Sequence, residues 1–130
     1  MKPLDESRAS YQAWMTYAHE DLQVASLLIA RGFSGPACFH AQQAAEKAIK
    51  AYLAWLGEED IPRTHDLLSL SRLLQRWGRE QPPQYSLMAL NQHAVAARYP
   101  NEVPPTEDEA AQALSFAEEL LDFVRRSVQS

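Results

Sequence analysis

Apolar residues recur along most of the chain at alternating steps of three and four, the spacing that lines one face of an α-helix. Between about residues 7 and 31, Tyr11, Trp14, Ala18, Leu22, Ala25 and Leu28 build such a face, over a length of about 35 Å at the helical rise. A second helix is predicted from Pro36, since proline suits the first turn, where its missing N–H loses nothing. Cys38, Ala41, Ala45, Ala48, Tyr52 and Trp55 then follow with the same stepping. For a third, Thr64 is the expected N-cap, Asp66 sits in the first turn near the positive end of the helix dipole, Leu67, Leu70, Leu74 and Trp77 form the stripe, and Gly78 ends it. A fourth, shorter and less regular, is predicted over residues 85–98 with Leu87, Met88, Leu90 and Val95 as its apolar members, and Pro100 forces its end. The fifth opens on a capping box, Thr106-Glu107-Asp108-Glu109, and continues through Ala110, Leu114, Ala117, Leu121, Val124 and Val128.

Nowhere does a period of two persist, so a sheet is not expected. The breaks at residues 32–36, 57–62, 78–83 and 99–105 are short enough to join neighbours in a bundle. The expected fold is all-α: an antiparallel up-and-down four-helix bundle with an additional short helix, formed by residues 1–130 as a single domain.

Composition narrows the functional classes. With 46% hydrophobic and 22% charged residues over 130 positions, disorder is excluded and one core is expected. The four glycines form neither a G-x-G-x-x-G turn nor a Walker loop, which removes the common nucleotide cradles and leaves no cofactor implied. Cys38, the one cysteine, falls on an apolar face and is expected in the core. No glutamate precedes a histidine at the Glu-x-x-His spacing, and His19, His40, His65 and His93 lie in different segments, so no metal is expected. No apolar run approaches a membrane span, and Met1 through Glu6 lack the apolar core of a signal peptide. A cytoplasmic protein without a membrane partner is expected. A net charge of −5 has the wrong sign for bulk attraction to nucleic acid, so any phosphate site has to be a local patch.

On a helical wheel of the second segment, His40, Gln43, Lys47 and Lys50 gather opposite the apolar arc, while Gln42 falls inside it and Glu46 at its margin. The stripe reads either as a solvated helix face or as a rank of donors for phosphate. Buried Gln42 needs hydrogen-bond partners, either structural or in a recessed polar site. Arg72, Arg76 and Arg79 form a second basic row, which reads as a solubilising face paired with Glu80 or the fifth helix, or as a phosphate-ready one. Two clusters lie at helix ends: Thr64-His65-Asp66-Leu67 and Ala97-Arg98-Tyr99-Pro100.

Taken together, the run Cys38-Phe39-His40-Ala41-Gln42-Gln43-Ala44-Ala45-Glu46-Lys47-Ala48-Ile49-Lys50-Ala51, those two clusters, Trp14 and His19-Glu20-Asp21-Leu22 resemble the HEPN family, the higher eukaryotes and prokaryotes nucleotide-binding domain. The resemblance spans nearly the whole chain. It implies a helical bundle that forms a homodimer and, in prokaryotes, is commonly encoded beside a small nucleotidyltransferase as a toxin–antitoxin-like pair. It also implies nucleotide or RNA as a ligand. Many family members are metal-independent ribonucleases with an arginine followed, after four to six residues, by a histidine, and two copies of that motif meet across the dimer. Here no arginine has a histidine at that distance, and the nearest arrangement is reversed, His93 before Arg98. The expected function is therefore a binding and interaction module, with phosphate contacts from His40, Gln43, Lys47, Lys50, His65, Arg98 and Tyr99. The alternative is a ribonuclease in which His93 supplies the acid–base imidazole and Arg98 the phosphate-stabilising guanidinium.

Overall fold

Small side chains on every side of the second helix decide the architecture, because they let neighbouring helices approach closely from several directions at once. In a computed structural model that describes residues 4–96 and 99–129, this helix, α2 (Ser34–Leu56), is the central element. Ala41, Ala44, Ala45, Ala48, Ala51 and Ala54 are all inaccessible to solvent. Against it pack α1 (Leu4–Ala30), antiparallel to it, and α5 (Glu107–Gln129), while α3 (Leu67–Arg76) and α4 (Gln84–Asn91) complete the bundle. The described residues contain no strand.

The core is continuous. Met15, Ala18 and Ala25 from α1 meet Ile49, Tyr52 and Leu53 from α2 and Ala117, Leu120, Leu121 and Val124 from α5. Cys38 is fully buried among them, as its place on the apolar face predicted.

Local chemistry sets the helix ends. α2 starts two residues before Pro36, which becomes its third residue and still lies within the first turn, where no N–H partner is missed. It ends at Gly57, whose left-handed backbone (φ 94°) turns its N–H onto the Ala54 carbonyl. Asp66, not Thr64, caps α3. Its carboxylate accepts from the Leu68 N–H at 3.1 Å and the Ser69 hydroxyl at 2.8 Å, and the Thr64 hydroxyl instead accepts from the Asp66 N–H at 3.1 Å. The α5 capping box forms as predicted, with the Glu109 N–H donating to Thr106 Oγ1 at 3.1 Å and the Thr106 N–H to Glu109 Oε1 at 3.3 Å.

α4 is much shorter than the periodicity suggested. Asn91, its last residue, reaches across to the start of α3, accepting from the Leu67 N–H at 2.9 Å and donating to Asp66 Oδ1 at 3.0 Å. Beyond it Val95 is 68% exposed, so the apolar spacing that carried the predicted helix past Asn91 gains no burial at that position.

Candidate functional site

The side of α2 that bears His40, Gln43, Lys47 and Lys50 is not a solvated face. α1 and the segment leading into α3 cover much of it, and two acidic residues organise the seam. Asp21, buried on α1, places Oδ1 2.9 Å from His40 Nδ1 and accepts from Lys47 Nζ at 2.5 Å through Oδ2. Two turns along α2 from His40, Glu46 accepts from Lys50 Nζ at 3.0 Å through Oε2. Its Oε1 lies 2.8 Å from His65 Nδ1 and accepts from Gln43 Nε2 at 3.3 Å. Glu46 and Lys50 are only 4% and 6% exposed. Gln42 is satisfied as its position demanded: its amide N–H donates to the His65 carbonyl at 2.9 Å, and its oxygen accepts from Gln43 Nε2 at 2.8 Å.

Two ammonium groups therefore face two carboxylates, and the lysines add no net charge to the seam. The imidazoles have the greater chemical freedom. An ionised carboxylate only accepts hydrogen bonds, so each Nδ1 that faces one carries the proton, leaving Nε2 as the outward atom. The His65 side chain is 65% exposed and that of His40 about half as much. Lys47 and Lys50 also lie over the rings of Tyr17 and Trp14, at 6.0 and 5.6 Å, which holds both ammonium groups against α1.

The other candidates lie elsewhere. His93, 5% exposed, borders a cavity of about 130 Å³ between α4 and α5, and its backbone N–H donates to the Leu90 carbonyl at 2.9 Å. Tyr99 is exposed, and its N–H donates to Glu102 Oε1 at 3.2 Å. Arg98 lies outside the described residues. The arginine row does not form either. Arg79 turns inward, donating to the Tyr52 hydroxyl at 2.9 Å and the Ser127 carbonyl at 3.5 Å, while Arg72 and Arg76 face solvent.

Sequence reasoning had not singled out Asp21 as a site residue. A signal was available, since Asp21 stands at the three-and-four spacing between Ala18 and Ala25, a carboxylate on a face that packs. Outside the seam, burial raises the pKa of the Tyr11 hydroxyl above its ordinary range against the pull of Arg125, and two other groups are shifted downwards. Burial, and then the Arg125 cation, push the His19 imidazole below its ordinary range against the opposing pull of Asp122. Arg125 Nη2 meets His19 Nε2 directly, and since guanidinium only donates, that nitrogen accepts. Asp66 is held below the usual carboxylate range chiefly by the Ser69 hydroxyl, helped by Asn91 and the Leu68 and Ser69 N–H groups, and opposed by desolvation. Among the described residues no group of three metal-ligating side chains comes together, and no helix is long and apolar enough to cross a membrane.

Fold and seam thus define an all-helical bundle with a charged, histidine-bearing seam between its first two helices. The HEPN domain family model matches residues 11–127, and the chain belongs to that family. Among solved structures it is similar to a protein from Thermus thermophilus, with 29% identity, a TM-score of 0.74, and coverage of 90% of this chain and 97% of that one. An archaeal HEPN homologue shares 26% identity with a TM-score of 0.69, covering 91% and 97% of the two chains. A HEPN domain protein from Thermotoga maritima shares 25% identity with a TM-score of 0.68 over 88% and 95%. A comparison with curated proteins returned no match.

Proposed function

We propose that residues 1–130 act as one HEPN unit, a binding and interaction module that takes the phosphate of a nucleotide or RNA at the α1–α2 seam. As the family resemblance suggests, it would work as a homodimer and as half of a pair with a nucleotidyltransferase. The observation that carries the phosphate reading is the exposed His65 imidazole, held through Nδ1 by the buried Glu46 carboxylate at 2.8 Å. A ring fixed on one side by a carboxylate offers its other nitrogen in a set direction, and once protonated it becomes a charged donor without sacrificing that anchor. Lys47 and His40, held in the same way by Asp21, extend the rank. Gln43 and Lys50, bonded to Glu46, support it from behind.

Titration of the isotope-labelled protein with ATP and with a short single-stranded RNA, followed through the histidine ring resonances, tests this reading. His65 and His40 are expected to shift while His19 stays fixed, and His65→Ala with Lys47→Ala to weaken binding. Unmoved His65 and His40 signals at millimolar ligand would overturn it. Co-expression with a nucleotidyltransferase encoded beside it tests the partner. The ribonuclease reading has less support, because His93 at 5% exposure is screened from a polymeric substrate. Equal RNA cleavage by the protein and by His93→Ala would remove it.

A further inference from the structure

We infer that the groove between α4 and α5 docks a cationic amphipathic helix of a partner protein, an interaction separate from the phosphate seam. Monomeric surfaces seldom gather large apolar side chains in one region without use, yet Tyr85, Met88, Val95, Tyr99 and Val103 are all more than 60% exposed and lie on α4 or the segment after it. Beside them α4 and α5 form two facing rows at helical spacing, Tyr85, Ala89 and Gln92 on one side and Glu109, Gln112 and Phe116 on the other. Rows of that spacing are what an amphipathic helix lays its own stripe against.

The groove has two chemically different ends. At one, the rings of Tyr85 and Phe116 meet edge-on with centroids 5.5 Å apart, forming an aromatic wall. At the other stands Glu109, with Glu107 and Asp108 exposed in the same first turn of α5. The cavity between them, about 130 Å³, is well below the roughly 300–1,000 Å³ of small-molecule sites. It suits one aliphatic anchor side chain.

The α5 dipole accounts for acidic residues in its first turn, but not for an exposed Tyr85 ring set against the half-buried Phe116 and a cavity next to them. No lysine or arginine is among the described residues lining the groove. An occupant that pairs an apolar anchor with a lysine or arginine one turn away satisfies both ends, and the net charge of −5 steers it inward. A second copy of this chain would bring a second acidic rim and no compensating cation from those lining residues, so the heterologous partner is favoured.

The test uses a labelled helical peptide of leucine and lysine, with leucines at i, i+3, i+4 and i+7, and a counterpart with glutamate in place of lysine. Amide resonances of the full chain report where each binds. The lysine peptide is expected to shift α4 and the first turns of α5, and the glutamate peptide to leave them unmoved. Ala89→Trp, which fills the cavity, and the surface double variant Glu107→Lys/Asp108→Lys should each weaken binding by roughly tenfold or more. Three results would overturn the inference. One is unchanged affinity in the double variant. Another is resonance shifts scattered over the acidic surface, and the third a wild-type dimer in sedimentation that Ala89→Trp converts to monomer.

Discussion

Replacing Glu46 with alanine probes the charged seam most directly. The Glu46–Lys50 pair is 3.0 Å long with both side chains less than a tenth exposed. At an effective dielectric constant of 20, two unit charges at that separation attract by about 5 kcal/mol, before the desolvation both have undergone is subtracted. The pair as a whole therefore contributes little net stability. Deleting only the carboxylate is different: it strands the Lys50 ammonium in the bundle and takes the Nδ1 acceptor from His65, while Gln43 keeps its shorter bond to Gln42. Breaking a buried pair in this way costs about 3–5 kcal/mol, and the Trp14 ring 5.6 Å from the ammonium, in contact before and after the substitution, leaves that cost unchanged. Against a total stability of roughly 5–15 kcal/mol, the loss is a large fraction and lowers Tm by about 10–15 °C. Urea unfolding should show the loss as a lower midpoint at unchanged slope. Glu46→Leu combined with Lys50→Met, which removes both charges and keeps the volume, should return to within about 2 kcal/mol of the natural protein. A Glu46→Ala cost below about 1 kcal/mol, or a double variant as unstable as the sum of its single changes, would refute the reasoning.

His19, whose imidazole takes up a proton less readily in the fold than in the unfolded chain, contributes stability that is complete above about pH 6.5 and lost as pH falls through its lower folded value. Unfolding curves of the natural protein and His19→Gln between pH 7.5 and 5 should diverge on the acid side, and parallel curves would contradict the assignment. Asp66→Ala removes the α3 cap together with the Asn91 tie to α4 and should cost about 1–2 kcal/mol in chemical denaturation. Because the Asp66 carboxyl is held below its ordinary range, its contribution should be present above about pH 4 and fade as pH drops through the folded value. Ala48→Leu inserts bulk where α2 is fully enclosed and should destabilise by about 1–3 kcal/mol, read as a lower Tm; an unchanged Tm would show that the helices around α2 can separate at no cost.

Much of the candidate chemistry was visible before any coordinates, but not its arrangement. Gln42 showed itself as a polar residue on an apolar arc, which is a statement about one helix. That its partners are the His65 carbonyl and Gln43 depends on how the chain returns after Gly57, and no local pattern encodes that. Tyr99 looked like a companion of the basic stripe, yet it sits in the segment after α4, away from the α1–α2 seam.

By its own periodicity and punctuation, the sequence determined that five helices form among the described residues, how α5 is capped, and that Ala41, Ala45 and Ala48 lie inside. These follow from interactions within a turn or two of chain, where spacing and side-chain size are sufficient causes. Tertiary structure alone decided that α2 is enclosed on its polar flank as well, that Asp21 and Glu46 take up the lysines and the histidine Nδ1 atoms, and that α4 stops at Asn91. A helical wheel assigns a residue to a side of its own helix. Whether water or another helix occupies that side depends on packing between segments that are distant in the chain, and there the protonation and pairing of the seam are settled.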